Sequence, residues 1–244
     1  PCNQPASSIL RIHCILTVPL PTTQHRREVI SHSFLRARDE QSNQAVTIAC
    51  TQAVAHFWLF PRIVRFNNRY PEITVSVISA NAINERSCSE SDFGILYGDG
   101  DWPTLDSAPL FPEIVYPIRS STLDLPEPTK PEDLTALPLI QLDSSQWDCL
   151  DWQDWFDHFN VDYQIPRNAL TFNQVTLSFN AALEGLGVTL GWDFMARQSI
   201  ESGTLKRMGD FAYETGRSDF LVHAKFRPIS ASASIFRDWL LASV

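Results

Sequence analysis

The amino-acid sequence predicts an α/β protein from two observations: a helix that runs into a buried strand at residues 172–192, and a strand–helix–strand unit at residues 45–78. In the first, the apolar positions have the spacing of one helix face; they are Val175, Phe179, Ala182 and Leu186. Gly185 and Gly187 then end the helix, and residues 188–190 (VTL) form the apolar run of a strand covered on both faces. Such units build α/β sheets, where ligands collect at strand ends and helix starts.

The second unit begins with a β-favouring run at residues 45–49 (AVTIA). Thr51 is placed to cap the following apolar helix, which Pro61 is expected to kink or restart. Residues 73–78 (ITVSVI) alternate apolar and polar side chains as a strand does. A connection of this length predicts two parallel neighbouring strands with a right-handed crossover.

The remaining elements are predicted from shorter patterns. A Pro-rich polar stretch at residues 120–131 indicates a boundary. The predicted strands are 92–97, 137–142 and 220–224, and residues 203–205 are predicted as a turn and short strand. The predicted helices are an aromatic-rich one from Trp147 to Phe159 and a last one carrying Ile235, Phe236, Trp239 and Leu240. The boundary and the late strand together predict two crossings between lobes. The lobes are then residues 46–120 plus 220–244, and residues 121–219.

Composition is that of an ordinary globular protein, with 244 residues, 44% hydrophobic and 19% charged. A net charge of −9 argues against a broad nucleic-acid-binding surface, and residues 1–45, with five Arg and three acidic side chains, are the only plausible part that faces nucleic acid. The five cysteines are widely spaced without a CxxC pair, which favours a reduced compartment. No apolar run approaches the roughly 20 residues of a membrane span.

No catalytic motif is found in the sequence, since GxSxG, HExxH, GxxxxGK[ST] and GxGxxG are all absent. The six histidines do not pair at metal-ligand spacing. We therefore expect neither a catalytic residue nor a metal or other cofactor. An enzyme on this fold remains an alternative, because residues distant in sequence can meet in a cleft.

Polar residues instead indicate a ligand cleft built from helix starts and strand ends. Thr51 and Gln52 precede the first long helix, residues 79–81 (SAN) follow the second strand, and residues 172–176 (FNQVT) open the later helix. Backbone N–H groups at helix starts attract anions. The alternative for Thr51 and Asn173 is that they only cap their helices. A small anion is one candidate ligand; Trp147, Trp152 and Trp192 suit an aromatic or quaternary ammonium ligand, or belong to the core.

The same segments resemble the effector-binding region of LysR-type transcriptional regulators over residues 46–244. The resemblance lies in residues 46–77, in DFGILYGDGDW, which is similar to regulators of the glycine-cleavage type, in residues 172–192, and in the closing IFRDWL. It implies a type 2 periplasmic-binding-protein-like fold of two Rossmann-like subdomains joined by two crossover strands. It also implies a cytoplasmic regulator without enzymatic activity, a homodimer or homotetramer, and a small-molecule inducer between the subdomains. The implied inducer contacts are Thr51, Gln52, Ala80, Asn81, Tyr97, Gly98, Phe172, Asn173 and Thr176.

Residues 1–45 depart from this family, whose members begin with a winged helix-turn-helix. No recognition helix is found there, so we expect DNA contact only through a head not recognised in this chain. Residues 22–40 are a candidate remnant of the linker helix. The alternative is an exported solute-binding protein of the same fold, with residues 12–20 as the core of a signal peptide.

Overall fold

A computed structural model describes residues 45–145, 147 and 149–244. It contains a seven-stranded mixed sheet and a separate two-stranded parallel sheet. The candidate linker helix at 22–40 and the candidate signal core at 12–20 lie outside the described residues.

The strand–helix–strand unit at the start of the described chain is confirmed. It consists of β1 (Ala45–Thr51), a π-helical segment (Val54–Leu59) that continues into α1 (Phe60–Arg69), and β2 (Thr74–Ala80). β1 and β2 pair in parallel, in register from Ala45 with Thr74 to Thr51 with Ala80. Pro61 is the second residue of α1, and the change from π-helical to α-helical geometry just before it marks the irregularity predicted for this proline. A short α2 (Glu85–Ser89) and β3 (Phe93–Gly98) follow, and β3 also pairs in parallel with β1.

Two long antiparallel strands cross the molecule: β4 (Leu105–Ser120) and β9 (Tyr213–Ala224). β9 joins β3 to β4, and the far end of β4 pairs with β7 (Thr189–Trp192) and β8 (Leu205–Arg207). The register of β4 against β9 shifts twice, between Pro109 and Phe111 and between Pro112 and Ile114. β4 is absent from the sequence prediction, and β9 begins seven residues before the predicted 220–224 strand.

The remaining elements lie between and after the two long strands. In chain order these are a 3₁₀ turn (Pro131–Ala136), β5 (Gln141–Leu142), α3 (Trp152–His158), β6 (Thr171–Phe172), α4 (Val175–Leu183), β7, α5 (Asp193–Glu201), β8, the end of β9 and α6 (Ala231–Leu241). The aromatic helix is shorter than predicted. It begins at Trp152 because Asp151 caps it, accepting hydrogen bonds from the backbone N–H groups of Gln153 and Asp154.

The helix-to-strand unit ends as its glycines predict, although the helix begins later. Phe172 lies in β6 and α4 begins at Val175, so the predicted start at Phe172 is wrong. Gly185 has a φ of 78°, and the N–H groups of Gly185 and Leu186 donate to the carbonyls of Ala182 and Ala181, which is a Schellman motif. The chain turns away at that point, so Leu186 is 58% exposed and does not extend the apolar face.

Gly187 has a steric role in the same unit. A Cβ atom at this position would lie 2.3 Å from the backbone oxygen of Pro138. That oxygen accepts the backbone hydrogen bond of Val188, which attaches the strand after α4 to the chain before β5. All four residues of β7 are buried, as predicted for a strand covered on both faces.

Buried apolar side chains form two large clusters that define two lobes. The first lobe surrounds a cluster drawn from residues 46–110 and 221–240, and the second lobe surrounds one drawn from residues 115–208. β4 and β9 run through both lobes, which makes them the two crossover strands of the predicted fold class. Along β4 the change of cluster falls between Leu110 and Val115, before the predicted boundary at residues 120 and 121. Those domain limits stay a prediction.

Candidate functional site

A cavity of about 300 Å³ lies between the two lobes and is lined by both. Five of the nine residues predicted to contact a ligand belong to its lining: Thr51, Gln52, Asn81, Tyr97 and Thr176. On one side of the cavity the lobes touch through the rings of Phe57 and Phe179, whose centroids are 4.7 Å apart.

The first lobe contributes the junction of β1 with its helix and the ends of two strands. The N–H of Val54 donates to Oγ1 of Thr51 at 3.3 Å, so Thr51 caps this helix and lines the cavity at the same time. Asn81 follows the last residue of β2, and Tyr97 lies near the end of β3. Parallel neighbours β1, β2 and β3 end at the same edge, which brings these residues together.

The second lobe contributes the start of α4, where Gln174, Val175 and Thr176 line the cavity. The Nδ2 of Asn81 donates to the backbone oxygen of Asn173 at 3.4 Å, which links the two lobes beside the cavity. Asn173 does not cap α4, because the N-cap residue is Gln174 and its side chain makes no capping hydrogen bond. We use the name polar wall for the half-buried neutral side chains of Thr51, Gln52, Asn81, Gln174 and Thr176.

Four of the predicted residues are not in the lining: Ala80, Gly98, Phe172 and Asn173. Ala80 pairs with Thr51 at the end of β2, and Gly98 pairs with Ser218 at the end of β3. Phe172 packs against the small cluster of Ile140, Ala181 and Ala182 beneath α4. Asn173 reaches the site only through its backbone oxygen.

The sequence prediction missed two buried acidic residues of the cavity, Glu113 on β4 and Asp219 on β9. We call them the acidic pair; they are 7% and 8% exposed. Oε1 of Glu113 accepts a hydrogen bond of 2.8 Å from Nε1 of Trp192, and Oε2 accepts one from the hydroxyl of Tyr97. Glu113 therefore holds a ring from each lobe. Trp147 and Leu150, predicted as helix positions, precede α3 and also line the cavity.

The protonation of Asp219 and Tyr97 depends on their burial and on the neighbouring Glu113. Burial, the larger cause, and the nearby negative charge of Glu113 together raise the pKa of Asp219 to about 7. Burial also raises the pKa of Tyr97, as does its hydrogen bond to Glu113, so its hydroxyl remains a donor at neutral pH. No described residue donates a hydrogen bond to the Asp219 carboxylate.

The comparison with known families agrees with this architecture. A model of the family described as the LysR substrate binding domain matches residues 39–244. The chain belongs to this LysR family. Among curated relatives, the glycine cleavage system transcriptional activator of Escherichia coli K12 is 30% identical over 210 residues, which is 85% of this chain and 67% of the relative.

Solved structures of LysR-type effector domains share the fold. The effector domain of the transcriptional regulator AmpR of Pseudomonas aeruginosa superimposes with a TM-score of 0.65 at 22% identity, covering 81% of this chain and 94% of that one. The AmpR effector-binding domain of Citrobacter freundii gives a TM-score of 0.64 at 21% identity, with coverages of 82% and 98%. Residues 39–244 are thus the effector-binding domain of a LysR-type transcriptional regulator, and these relatives give no support to the exported solute-binding alternative.

The described residues offer neither a membrane-spanning helix nor a metal site. No helix within 45–145 and 149–244 is long and apolar enough to cross a membrane. Over the same residues, no group of three or more His, Cys, Asp or Glu side chains is arranged to hold a metal ion.

Proposed function

We propose that the cavity between the lobes is the effector site of this LysR-type regulator. The observation that carries the proposal is that both lobes line one cavity of about 300 Å³, a size typical of small-molecule sites. A ligand that contacts both lobes stabilises the arrangement in which those contacts are complete. Its differential affinity for that arrangement is the free energy available for regulation.

The proposed ligand contacts are Thr51, Gln52, Asn81, Tyr97 and Thr176, with Gln174, Glu113 and Asp219 added by the structure. Ala80, Gly98 and Phe172 act as supports of the neighbouring residues, and Asn173 positions Asn81 through its backbone oxygen. No catalytic step is assigned to these residues, and the protein acts by binding. It is active in the cytoplasm as a homodimer or homotetramer, and DNA is bound through a separate head. The names of the relatives as transcriptional activators support this assignment.

A cavity-blocking variant tests the proposal. A thermal-shift screen of small amines, amino acids and carboxylates identifies a binding compound, and titration calorimetry then measures its affinity. Thr176→Trp fills the cavity from the half-buried start of α4, and we expect it to weaken binding at least tenfold. Asn180→Trp, on the exposed side of the same helix, is the matched control and keeps the affinity.

Unchanged affinity in Thr176→Trp would place the ligand elsewhere and contradict the proposal. Size-exclusion chromatography with light scattering tests the oligomer independently. We expect the mass of a dimer or tetramer, and a monomer at all concentrations would contradict that part of the proposal.

A further inference from the structure

We propose that the effector carries a cationic group, an amine or a quaternary ammonium, which binds against the acidic pair of Glu113 and Asp219. This inference rests on the proposed effector site and adds the chemical class of its ligand.

Asp219 is the first observation behind it. The residue is only 8% exposed and lines the cavity, and no described residue donates a hydrogen bond to its carboxylate. Its backbone lies between Tyr97 on β3 and Phe111 on β4, so the carboxylate is fixed in the centre of the sheet. A buried carboxylate without a partner is costly in free energy. A ligand cation in the cavity supplies the missing partner.

Glu113 adds a second carboxylate whose orientation is fixed before any ligand binds. Its two oxygens accept hydrogen bonds from Trp192 and Tyr97, so the side chain does not need to be ordered on binding. Both donors are aromatic rings that also line the cavity. Aromatic rings attract cations, and indole does so most strongly, which favours the same class of ligand.

The charge balance of the lining excludes the opposite ligand class. Glu113 and Asp219 are the only charged side chains among the described lining residues, and that lining contains no Lys, Arg or His. The guanidinium of Arg217, which is not in the lining, lies 5.7 Å from the centre of the Tyr97 ring and pairs with Asp99 at 3.5 Å. Above the pKa of Asp219, an anion placed against the acidic pair meets two like charges, which lowers its affinity.

A pH dependence follows from the same geometry. The groups that face Asp219 are Glu113 on β4, Tyr97 on β3 and the buried thiol of Cys50 on β1, with Arg217 beyond Tyr97. Because the pKa of Asp219 is about 7 in the free protein, the carboxylate is mostly protonated at pH 6 and mostly ionised at pH 8. A permanently charged ligand should therefore bind roughly tenfold more tightly at pH 8 than at pH 6.

The test is a thermal-shift and calorimetry panel on the full chain. Its cationic arm contains choline, agmatine, putrescine and phenethylamine. Its second arm contains their uncharged or N-acetylated analogues, and its third contains acetate, pyruvate, succinate and benzoate. We expect binding in the cationic arm only. Within that arm, comparing the primary amines with choline shows whether the site binds an amine or a quaternary ammonium group. Asp219→Asn should weaken that binding at least tenfold and remove its pH dependence.

Asp162 is an exposed acid that does not line the cavity, so Asp162→Asn is the control. It should leave both the affinity for the cation and the pH dependence of that affinity unchanged. If anions or uncharged analogues bind and Thr176→Trp prevents it, the effector site stands and the cationic assignment fails. If no arm binds, both proposals fail. Equal binding by wild type and Asp219→Asn overturns the inference even when the ligand is a cation.

Discussion

The polar wall and the acidic pair line the same cavity in different ways. The wall is neutral, half-buried and placed at helix starts and strand ends of separate lobes. The acidic pair is charged, buried and placed within β4 and β9, the two strands that both lobes share. Contacts from the wall depend on how the lobes are arranged, whereas those from the shared strands persist. The two groups therefore differ in whether their contacts with a ligand depend on the arrangement of the lobes.

The largest expected effect is a pH dependence of the unfolding free energy, which comes from Asp219 of the acidic pair and not from the neutral polar wall. Asp219 in the folded protein keeps its proton up to a pKa of about 7, above its ordinary value of 3.8. Its stabilising contribution is therefore present in acid and is lost as the pH rises through 7. Relative to Asp219→Asn, the wild-type free energy of unfolding should fall by about 2 to 3 kcal/mol between about pH 5 and pH 8. Urea denaturation at several pH values measures this. Parallel curves for the two proteins would contradict a buried, unpartnered Asp219.

The next largest effect is expected at Glu113, whose carboxylate accepts hydrogen bonds from Trp192 and Tyr97. Glu113→Ala leaves Nε1 of the buried Trp192 without its acceptor, and we expect a loss of about 2 kcal/mol in unfolding free energy. Glu113→Gln retains a carbonyl oxygen for that bond and should lose less. Urea denaturation at pH 7 compares them. Equal losses in both variants would show that the hydrogen bond to Trp192 is not what Glu113 contributes.

A smaller effect is expected at the wall, from the cap that Thr51 provides. Thr51→Ala removes the acceptor of the Val54 N–H and should cost about 1 kcal/mol. Thr51→Ser keeps the hydroxyl and serves as the control. Thermal unfolding of the two variants is the measurement, and a Thr51→Ser variant as unstable as Thr51→Ala would rule out the capping explanation.

The smallest effect is expected for the link between the lobes. The hydrogen bond from Asn81 to the Asn173 oxygen is 3.4 Å long and exposed, so Asn81→Ala should change the free energy of unfolding by less than about 0.5 kcal/mol. Ligand affinity should still fall several-fold, because Asn81 lines the cavity. Calorimetry and denaturation on the same preparation separate the two quantities. A large loss of unfolding free energy with unchanged ligand affinity would show that Asn81 stabilises the fold and does not contact the ligand.

The elements with regular patterns were predictable from the sequence. The unit from β1 to β2 was found because its strands alternate or are uniformly apolar and its helix has a broad apolar face. β4 was not found because Pro109, Pro112 and Pro117 interrupt it, and proline within a run argues against a strand. The structure accommodates the first two of these prolines next to the register shifts against β9.

The residues of the site were likewise predictable only where they follow a regular pattern. Thr51, Gln52, Asn81 and Thr176 were found because helix starts and strand ends are where α/β sheets place ligands. Glu113 and Asp219 were missed because an acid within a strand is usually on the solvent face, and only the crossing of β4 and β9 buries this pair. The sole signal available was an acid flanked by aromatic and apolar residues in FPEIVY and SDFLV.

The most direct test of the account is a crystal structure of the protein with the amine that gives the largest thermal shift. We predict that its cationic nitrogen lies within hydrogen-bonding or ion-pair distance of the Asp219 carboxylate, with Glu113 beside it and the rest of the ligand against the polar wall. A ligand outside the cavity would contradict the effector site, and a ligand inside it that turns an uncharged or anionic group toward Asp219 would contradict the role of the acidic pair.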